Sequence, residues 1–247
     1  MQQYFVKGSA ISPVTIEDKE TSKHMFQVMR LKEDDEVTLV FDDGIKRLAC
    51  VVNVEARQLE LIEELADNVE LPVQVTIASG FPKGDKLELV TQKATELGAQ
   101  AIWSFPADWS VVKWDGKKLA KKEDKLAKIA LGAAEQSKRN RVPEVRLFEK
   151  KGEFLPELDN FDKIFIAYEE TAKAGELATL ARELAQVESG QKILFIFGPE
   201  GGISPSEIDA FEEAGGLKIG LGPRIMRTET APLYALSSVS YALELNK

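Results

Sequence analysis

Phe197-Gly198-Pro199-Glu200-Gly201-Gly202 and Leu221-Gly222-Pro223-Arg224-Ile225-Met226-Arg227-Thr228-Glu229-Thr230-Ala231 are the two stretches that decide how this 247-residue chain is read. Each follows a short apolar run and precedes a helix-like segment. Gly198, Gly201 and Gly202 carry no side chain, so a ligand can come close to the main chain there. Ser204-Pro205-Ser206-Glu207 comes next. A serine N-cap, proline at the first helical position and glutamate at the third make the sequence form of a capping box. Ile208 and Phe211, three apart, turn one apolar face of that helix to a sheet. Glycine alone is ordinary in a strand-to-helix turn. A connecting loop crowded with Arg224, Arg227, Thr228, Glu229 and Thr230 reads as a site.

Working outward, Val73–Ile77, Ala101–Phe105, Ile164–Ala167, Ile193–Phe197 and Leu217–Leu221 are short apolar runs separated by helical segments. Leu87, Val90, Ala94 and Leu97 show the helical spacing most clearly. Strands alternating with helices predict an α/β domain with a mainly parallel sheet covered on both faces, its ligand beyond the carboxyl ends of the strands. Before it, residues Met1 to about Ala66 carry short alternating runs. Val37, Leu39 and Phe41, with Asp42-Asp43-Gly44 as a hairpin turn, are the clearest and predict a small β-barrel. Ala66 to Glu70 and Pro72 read as the linker. The expected domains are therefore 1–70 and 71–247.

Composition excludes several chemistries. One cysteine, Cys50, forbids an internal disulfide and reads as a core residue; one histidine, His24, leaves no Cys/His metal cluster, so no metal is expected. Gly220-Leu221-Gly222 lacks the third glycine of a dinucleotide fingerprint, and no Gly-Lys-Ser/Thr phosphate loop occurs. A Ser-His-Asp triad would have to recruit His24 from the other domain. With no apolar run of membrane-span length and no signal pattern, the protein is expected to be cytoplasmic with no membrane partner. The chain has 32 basic and 41 acidic residues, yet Lys113 to Arg146 holds eleven basic and five acidic ones. A local field of this kind suits nucleic acid, whose phosphates are neutralised by nearby Lys and Arg. Lys117 to Lys128 reads equally as a solvated helix face. Lys138, Arg139 and Arg141, bunched ahead of Pro143, are the RNA candidates.

Phe81-Pro82-Lys83-Gly84-Asp85 with Gln92 to Gly98, Ser110-Val111-Val112-Lys113, Ala134-Glu135-Gln136-Ser137, Gly198 to Gly202 and Leu221 to Ala231 resemble, in order, the ribosomal RNA small subunit methyltransferase E family of the SPOUT class. The resemblance covers nearly the whole chain and is stronger in the C-terminal two-thirds. It implies a PUA-like RNA-binding barrel at 1–70, a SPOUT methyltransferase domain at 71–247 with a deep C-terminal trefoil knot, and a homodimer paired through the helix that follows Thr230. His24, Arg30 and the Glu33-Asp34-Asp35 turn fall at the family's RNA-facing positions, as does Lys113. Two departures stand out: the chain opens Met1-Gln2-Gln3-Tyr4 without the family's arginines, and Asp108-Trp109 precedes Ser110 where the family has arginine. Trp109 is read either as a stacking surface for a splayed base or as packed core.

The implied cofactor is S-adenosylmethionine and the implied partner is ribosomal RNA or the small ribosomal subunit. Gly198, Glu200, Gly202, Leu221, Gly222, Ile225 and Met226 are the cofactor residues assigned on this resemblance, with Tyr168 and Glu169 as neighbours; for Tyr168 ordinary packing is an equal reading. If the acceptor is N3 of a uridine, as in the family, its proton must leave for the nitrogen to attack. Arg227 and Arg224 are the expected electrostatic clamps, since arginine is a poor proton acceptor. Glu229 is the fallback base, or else a charge favouring the N-terminus of the last helix. A catalytically silent RNA-binding protein of the same fold and a SPOUT enzyme for another RNA are the competing readings.

Overall fold

The computed structural model of the protein describes residues 1–168 and 178–246. The chain divides into two compact units, one of Met1–Glu70 with Ala134–Arg141, the other of Leu71–Ala133 with the chain from Val142 onward.

The first unit is a curled, mixed five-stranded sheet: β1 (Gln3–Phe5), β2 (Val14–Thr15), β3 (Glu36–Val40), β4 (Lys46–Asn53) and β5 (Gln58–Leu65), in the order β1-β3-β4-β5-β2. β1 lies parallel to β3 and the other pairs are antiparallel. The predicted Asp42-Asp43-Gly44 turn joins β3 to β4. Val37, Leu39 and Phe41 enter the core with Tyr4, Met25, Val51 and Leu59, as their alternation requires. Thr38 and Val40, on the opposite face, are buried as well. The cause is the Ala134–Arg141 segment. Gln3, the register partner of Thr38, donates its side-chain amide to Arg139 O at 2.7 Å, and Asn140 bonds Gly44 O and Asp67 O. Cys50 is half-buried rather than core.

The second unit holds six parallel strands: β6 (Gln74–Gly80), β7 (Ala101–Phe105), β8 (Glu144–Leu147), β9 (Lys163–Ala167), β10 (Lys192–Phe197) and β11 (Leu217–Ile219), ordered β11-β9-β10-β6-β7-β8. All five pairings are parallel. Side chains alternate between two cores. Val75, Ile77, Phe165, Ile193, Phe195 and Phe197 face one way; Ala78, Ile164, Ile166, Leu194 and Ile196 face the other. Both faces are buried, which is why these strands read as continuous apolar runs. β8 escapes the sequence pattern because Glu-Val-Arg-Leu is short, charged and at the sheet edge.

Helices α2 (Lys86–Glu96), α5 (Thr179–Leu184) and α7 (Ala231–Ser240) contribute to the first core; α4 (Lys151–Phe154) and α6 (Pro205–Glu213) contribute to the second. α1 (Lys19–Lys23) belongs to the first unit, and α3 spans Gly116–Gln136. Leu87, Val90 and Ala94 are buried on the expected face of α2. The capping box of α6 forms: Glu207 N–H donates to Ser204 Oγ at 3.2 Å and Ser204 N–H to Glu207 Oε2 at 3.1 Å. Phe105, at the end of β7, stacks on Phe154 at 4.3 Å and meets Phe211 edge-on, anchoring that strand end to α4 and α6. Strand order reverses beside β6, with β7 on one side and β10 on the other. That crevice is where open α/β sheets bind ligands.

Candidate active site

Four turns meet at the carboxyl ends of the central strands: those after β6, β7, β10 and β11. Their approach is close. A Cβ on Gly80 would stand 2.5 Å from Pro199 Cδ and 2.9 Å from Ala107 Cβ. The first turn of interest carries Glu200, which accepts from Lys83 N–H at 3.1 Å and from Lys86 Nζ at 2.7 Å. Lys86 Nζ also stands 3.5 Å from Glu229 Oε2, so one ammonium joins the turns after β6, β10 and β11. Burial opposes the charge on Glu200, but Lys86 and the neighbouring N–H groups outweigh it and hold its carboxyl below the ordinary range. Its bond to Glu200 raises Lys86 in turn. Lys86 went unnoticed in the sequence. It sits one residue beyond the Phe81–Asp85 motif, and only the fold brings it to two distant carboxylates.

The glycines of the first turn are required by packing as well. A Cβ on Gly198 would meet the Gly202 carbonyl carbon at 2.6 Å, and one on Gly201 would meet Trp109 Cβ at 2.9 Å. Neither position has room for a side chain. Gly202 and Gly222 need glycine for their backbone, with φ of +85° and +92°. Around Gly222 there is space, the nearest atom to an added Cβ being Tyr234 Oη at 3.9 Å.

Three buried side-chain oxygens lack a hydrogen bond among the described residues: Ser79 Oγ, Ser110 Oγ and Glu229 Oε2. All three belong to the second unit, at the end of β6, in the turn after β7 and in the turn after β11. Native proteins leave few such groups, and each calls for a reason. Gly220 and Leu221 are buried, yet from Gly220 to Met226 the main chain makes no backbone hydrogen bond among the described residues. At Gly220 and Leu221, where the chain is buried, such unpaired peptide groups call for a partner from outside the chain. Leu221 is buried, Met226 half-buried and Ile225 76% exposed, so the same turn offers apolar surface. Unpaired amides, apolar side chains and two carboxylates suit a ligand with a flat heterocycle and a positive charge.

Arg224 and Arg227 are exposed and make no ion pair among the described residues. Glu229 lies one residue before Thr230, which caps the last helix without a side-chain bond, so its charge falls at that helix's N-terminus. Tyr168, at the end of β9, is half-buried against the second core and donates its N–H to Ile219 O at 3.1 Å, in line with ordinary packing. Glu169 lies outside the described residues.

Around Trp109 a second charged group is complete. Asp108 accepts from Ser204 Oγ at 2.6 Å, Ser206 Oγ at 3.3 Å and Lys151 Nζ; buried Glu207 accepts from Asp108 N–H at 2.9 Å and Lys151 at 3.3 Å. Lys151 and then Ser204 hold the Asp108 carboxyl below its ordinary range.

Among the RNA candidates, His24 is exposed, its Nδ1 3.2 Å from Tyr4 Oη. Burial, then the charge of Glu135, pushes that hydroxyl up to about 12, so it stays protonated. Arg30 is exposed with φ of +58°. Lys113 and Arg141 are exposed, and Lys138 donates to Met1 O at 2.8 Å. Arg139 is corrected: it is 2% exposed and its guanidinium is spent on Glu70, so it holds the first unit together and does not face RNA. On α3, Lys122 lies over the Trp114 ring and Lys125 pairs with Glu88.

A model of an RNA methyltransferase domain matches residues 69–240 and one of an RNA methyltransferase PUA domain matches 16–64. The chain is 43% identical to the ribosomal RNA small subunit methyltransferase E of Bacillus subtilis over 99% of its own length and 98% of the relative's. The chain belongs to the ribosomal RNA small subunit methyltransferase E family. A second member, from Mycobacterium bovis, is 31% identical over 92% of this chain and 86% of its own. Two solved structures are similar in fold: a methyltransferase from Legionella pneumophila with bound cofactor S-adenosylmethionine (TM-score 0.83, 30% identity, 97% of each chain), and the methyltransferase E of Neisseria gonorrhoeae bound to S-adenosylmethionine (TM-score 0.79, 26% identity, 97% of each chain). Family membership agrees with a site built to take a cationic, heterocyclic ligand.

Proposed function

We propose that the protein transfers a methyl group from S-adenosylmethionine to N3 of a uridine in small-subunit ribosomal RNA. The observation that carries this is that the carboxyl end of β6 and the turns after β7 and β11 hold Ser79, Ser110 and Glu229, each with a buried oxygen that lacks a hydrogen bond among the described residues, and that Gly220 to Met226 makes no main-chain bond among them. Residues 71–247, apart from the Ala134–Arg141 segment that packs with the first unit, form the methyltransferase domain, and 1–70 the PUA-like RNA-binding domain.

Gly198, Glu200, Gly202, Leu221, Gly222, Ile225, Met226 and Tyr168 are the residues that would hold the cofactor: amides and carbonyls for its adenine edge, Leu221 and Met226 against its face, carboxylates for its positive charge. S-adenosylmethionine, when bound, supplies an electrophilic methyl group. The chain must prepare the nucleophile. Uridine N3 carries a proton at neutral pH, and Arg227 and Arg224, exposed and without an ion pair among the described residues, stabilise the anion formed as that proton leaves. Glu229 is the carboxylate to receive it. Its Oε2 has no hydrogen bond among the described residues, and the Lys86 ammonium stands 3.5 Å from it. Alignment of donor and acceptor supplies most of the rate, worth roughly 7–11 kcal/mol.

His24, Arg30, Lys113, Lys138 and Arg141 contact the RNA backbone. The protein works in the cytoplasm as a homodimer. Support comes from Tyr234, Tyr241 and Leu245 of the last helical segment and Leu89 of α2, apolar side chains 40%, 60%, 74% and 43% exposed. A deep trefoil knot closes the C-terminal domain. In its favour, β11 lies beyond β9, so the chain passes β9 on leaving β10, and α7 returns to pack on β10 and α2.

Purified protein incubated with labelled S-adenosylmethionine and unmodified small ribosomal subunits should place label in 3-methyluridine, identified by mass spectrometry after digestion. Label in another nucleoside overturns the N3 assignment. Cofactor binding with no transfer points to a different RNA, and no binding leaves a silent RNA-binding protein.

A further inference from the structure

We infer that Trp109 is a stacking platform for an unpaired base of the RNA, and so a positioning residue for the acceptor; this rests on the reading of the neighbouring turns as the methyl-transfer site. Trp109 is 48% exposed, although the residues on both sides of it are tied down. Asp108, one residue before it, is tied by main chain to buried Glu207 and by side chain to Ser204, Ser206 and Lys151. Ser110, one residue after it, donates its N–H to Ala107 O at 2.9 Å.

That bracing sets the ring against the glycine turn. The Trp109 Cβ occupies the space that a side chain at Gly201 would need, and its ring carbons stand 3.7 and 3.8 Å from where a Cβ on Gly202 would be. One edge of the indole therefore covers the Gly201–Gly202 main chain while much of the ring stays in solvent. An isolated exposed tryptophan is ordinary. One flanked by two anchored residues and lying against Gly202, next in sequence to Ser110, whose buried Oγ has no hydrogen bond among the described residues, and followed by exposed Val111 and Lys113, has the parts of a single-strand contact: a flat aromatic face with a cation four residues on. Stacking also suits the chemistry, because a uridine N3 is reachable only when the base is unpaired and splayed out.

The full-length protein, Trp109→Ala and Trp109→Phe are compared in steady-state transfer to unmodified small ribosomal subunits, with cofactor affinity measured by calorimetry. Loss of the platform should raise KM for subunits about tenfold, phenylalanine should recover most of it, and cofactor affinity should stay within about twofold. An unchanged KM in Trp109→Ala overturns the inference. So does cofactor affinity falling as far as RNA affinity, which would make the indole a cover for the cofactor turn. If the wild-type protein transfers nothing, the proposed reaction has failed, and stacking is decided separately with a single-stranded oligouridylate. Its quenching of tryptophan fluorescence should be lost in Trp109→Phe, since Trp103 and Trp114 remain in both proteins. Equal quenching in the two sinks the platform.

Discussion

Lys151 and Lys86 each sit between two carboxylates at the carboxyl ends of the parallel strands, yet the two groups are built to different ends. Around Lys151, every bond is made. Asp108 takes two serine hydroxyls and the ammonium, while Glu207, 1% exposed, takes two main-chain N–H groups and the same ammonium. Around Lys86, Glu200 is satisfied but Glu229 Oε2 is buried with no hydrogen bond, and Arg224 and Arg227 of the same turn have no ion-pair partner among the described residues. A buried polar group left unmade costs about 1–3 kcal/mol, so a fold keeps one only where something else is to be bound. The complete group braces; the incomplete one is the site.

The largest expected effect is on the incomplete side. Arg227→Ala should lower methyl transfer about a hundred- to a thousandfold, with its urea unfolding curve superimposed on that of the parent. Retained transfer would remove the clamp and with it the contrast. Glu207→Ala attacks the brace instead. It takes away one of the two carboxylates on Lys151 and the acceptor of the Asp108 and Ser204 N–H groups, and should cost about 3 kcal/mol or more in urea denaturation; a loss below about 1 kcal/mol would mean that the network is dispensable. Glu229→Gln should behave in the opposite sense, unfolding within about 1 kcal/mol of the parent while transfer falls, because a carboxylate with an unmade bond contributes little to folding. A matching loss of stability would class Glu229 with the brace.

The smallest effect separates the groups by pH. The Asp108 carboxyl is held below its ordinary range, so the native state binds its proton less readily than the unfolded chain. Its contribution is fully present above the unfolded aspartate value of about 3.9 and is lost as pH falls through the lower native value. Since Asp108 is 38% exposed in its side chain, that contribution is on the order of 1 kcal/mol after solvent screening. Asp108→Asn should flatten the acid limb of the stability profile by that amount while leaving cofactor affinity at neutral pH unchanged. Glu200 is shifted the same way, so Glu200→Gln should also remove acid sensitivity, but with a loss of cofactor affinity that Asp108→Asn does not show.

Much of this was legible in one dimension, for local reasons. Period-two burial on both faces makes β6, β7, β9 and β10 continuous apolar runs, three- and four-residue spacing marks α2, and the Ser204–Glu207 capping box is written in four consecutive residues and forms as read. The arginine-threonine-glutamate run announced a site because charge has no reason to crowd a mere spacer. What escaped is non-local. Lys86 is one lysine among many until β6, β10 and β11 are set side by side. Arg139 looked like an RNA contact because a basic cluster before a proline reads as exposed loop, and only the folded first unit closes Glu70 over it. The glycines of the first turn read in sequence as a ligand surface, and only the fold adds that a side chain at Gly198 or Gly201 would collide with Gly202 or Trp109. Sequence by itself determined most strands and helices and singled out the two glycine-rich turns, since propensity, periodicity and capping act over a few residues, while the return of Ala134–Arg141 to the first unit is a tertiary matter. The tertiary structure alone decided which charges are satisfied and which remain unpaired, because that depends on partners as far apart as Lys86 and Glu229, and an unmade bond shows only where all its neighbours are in place.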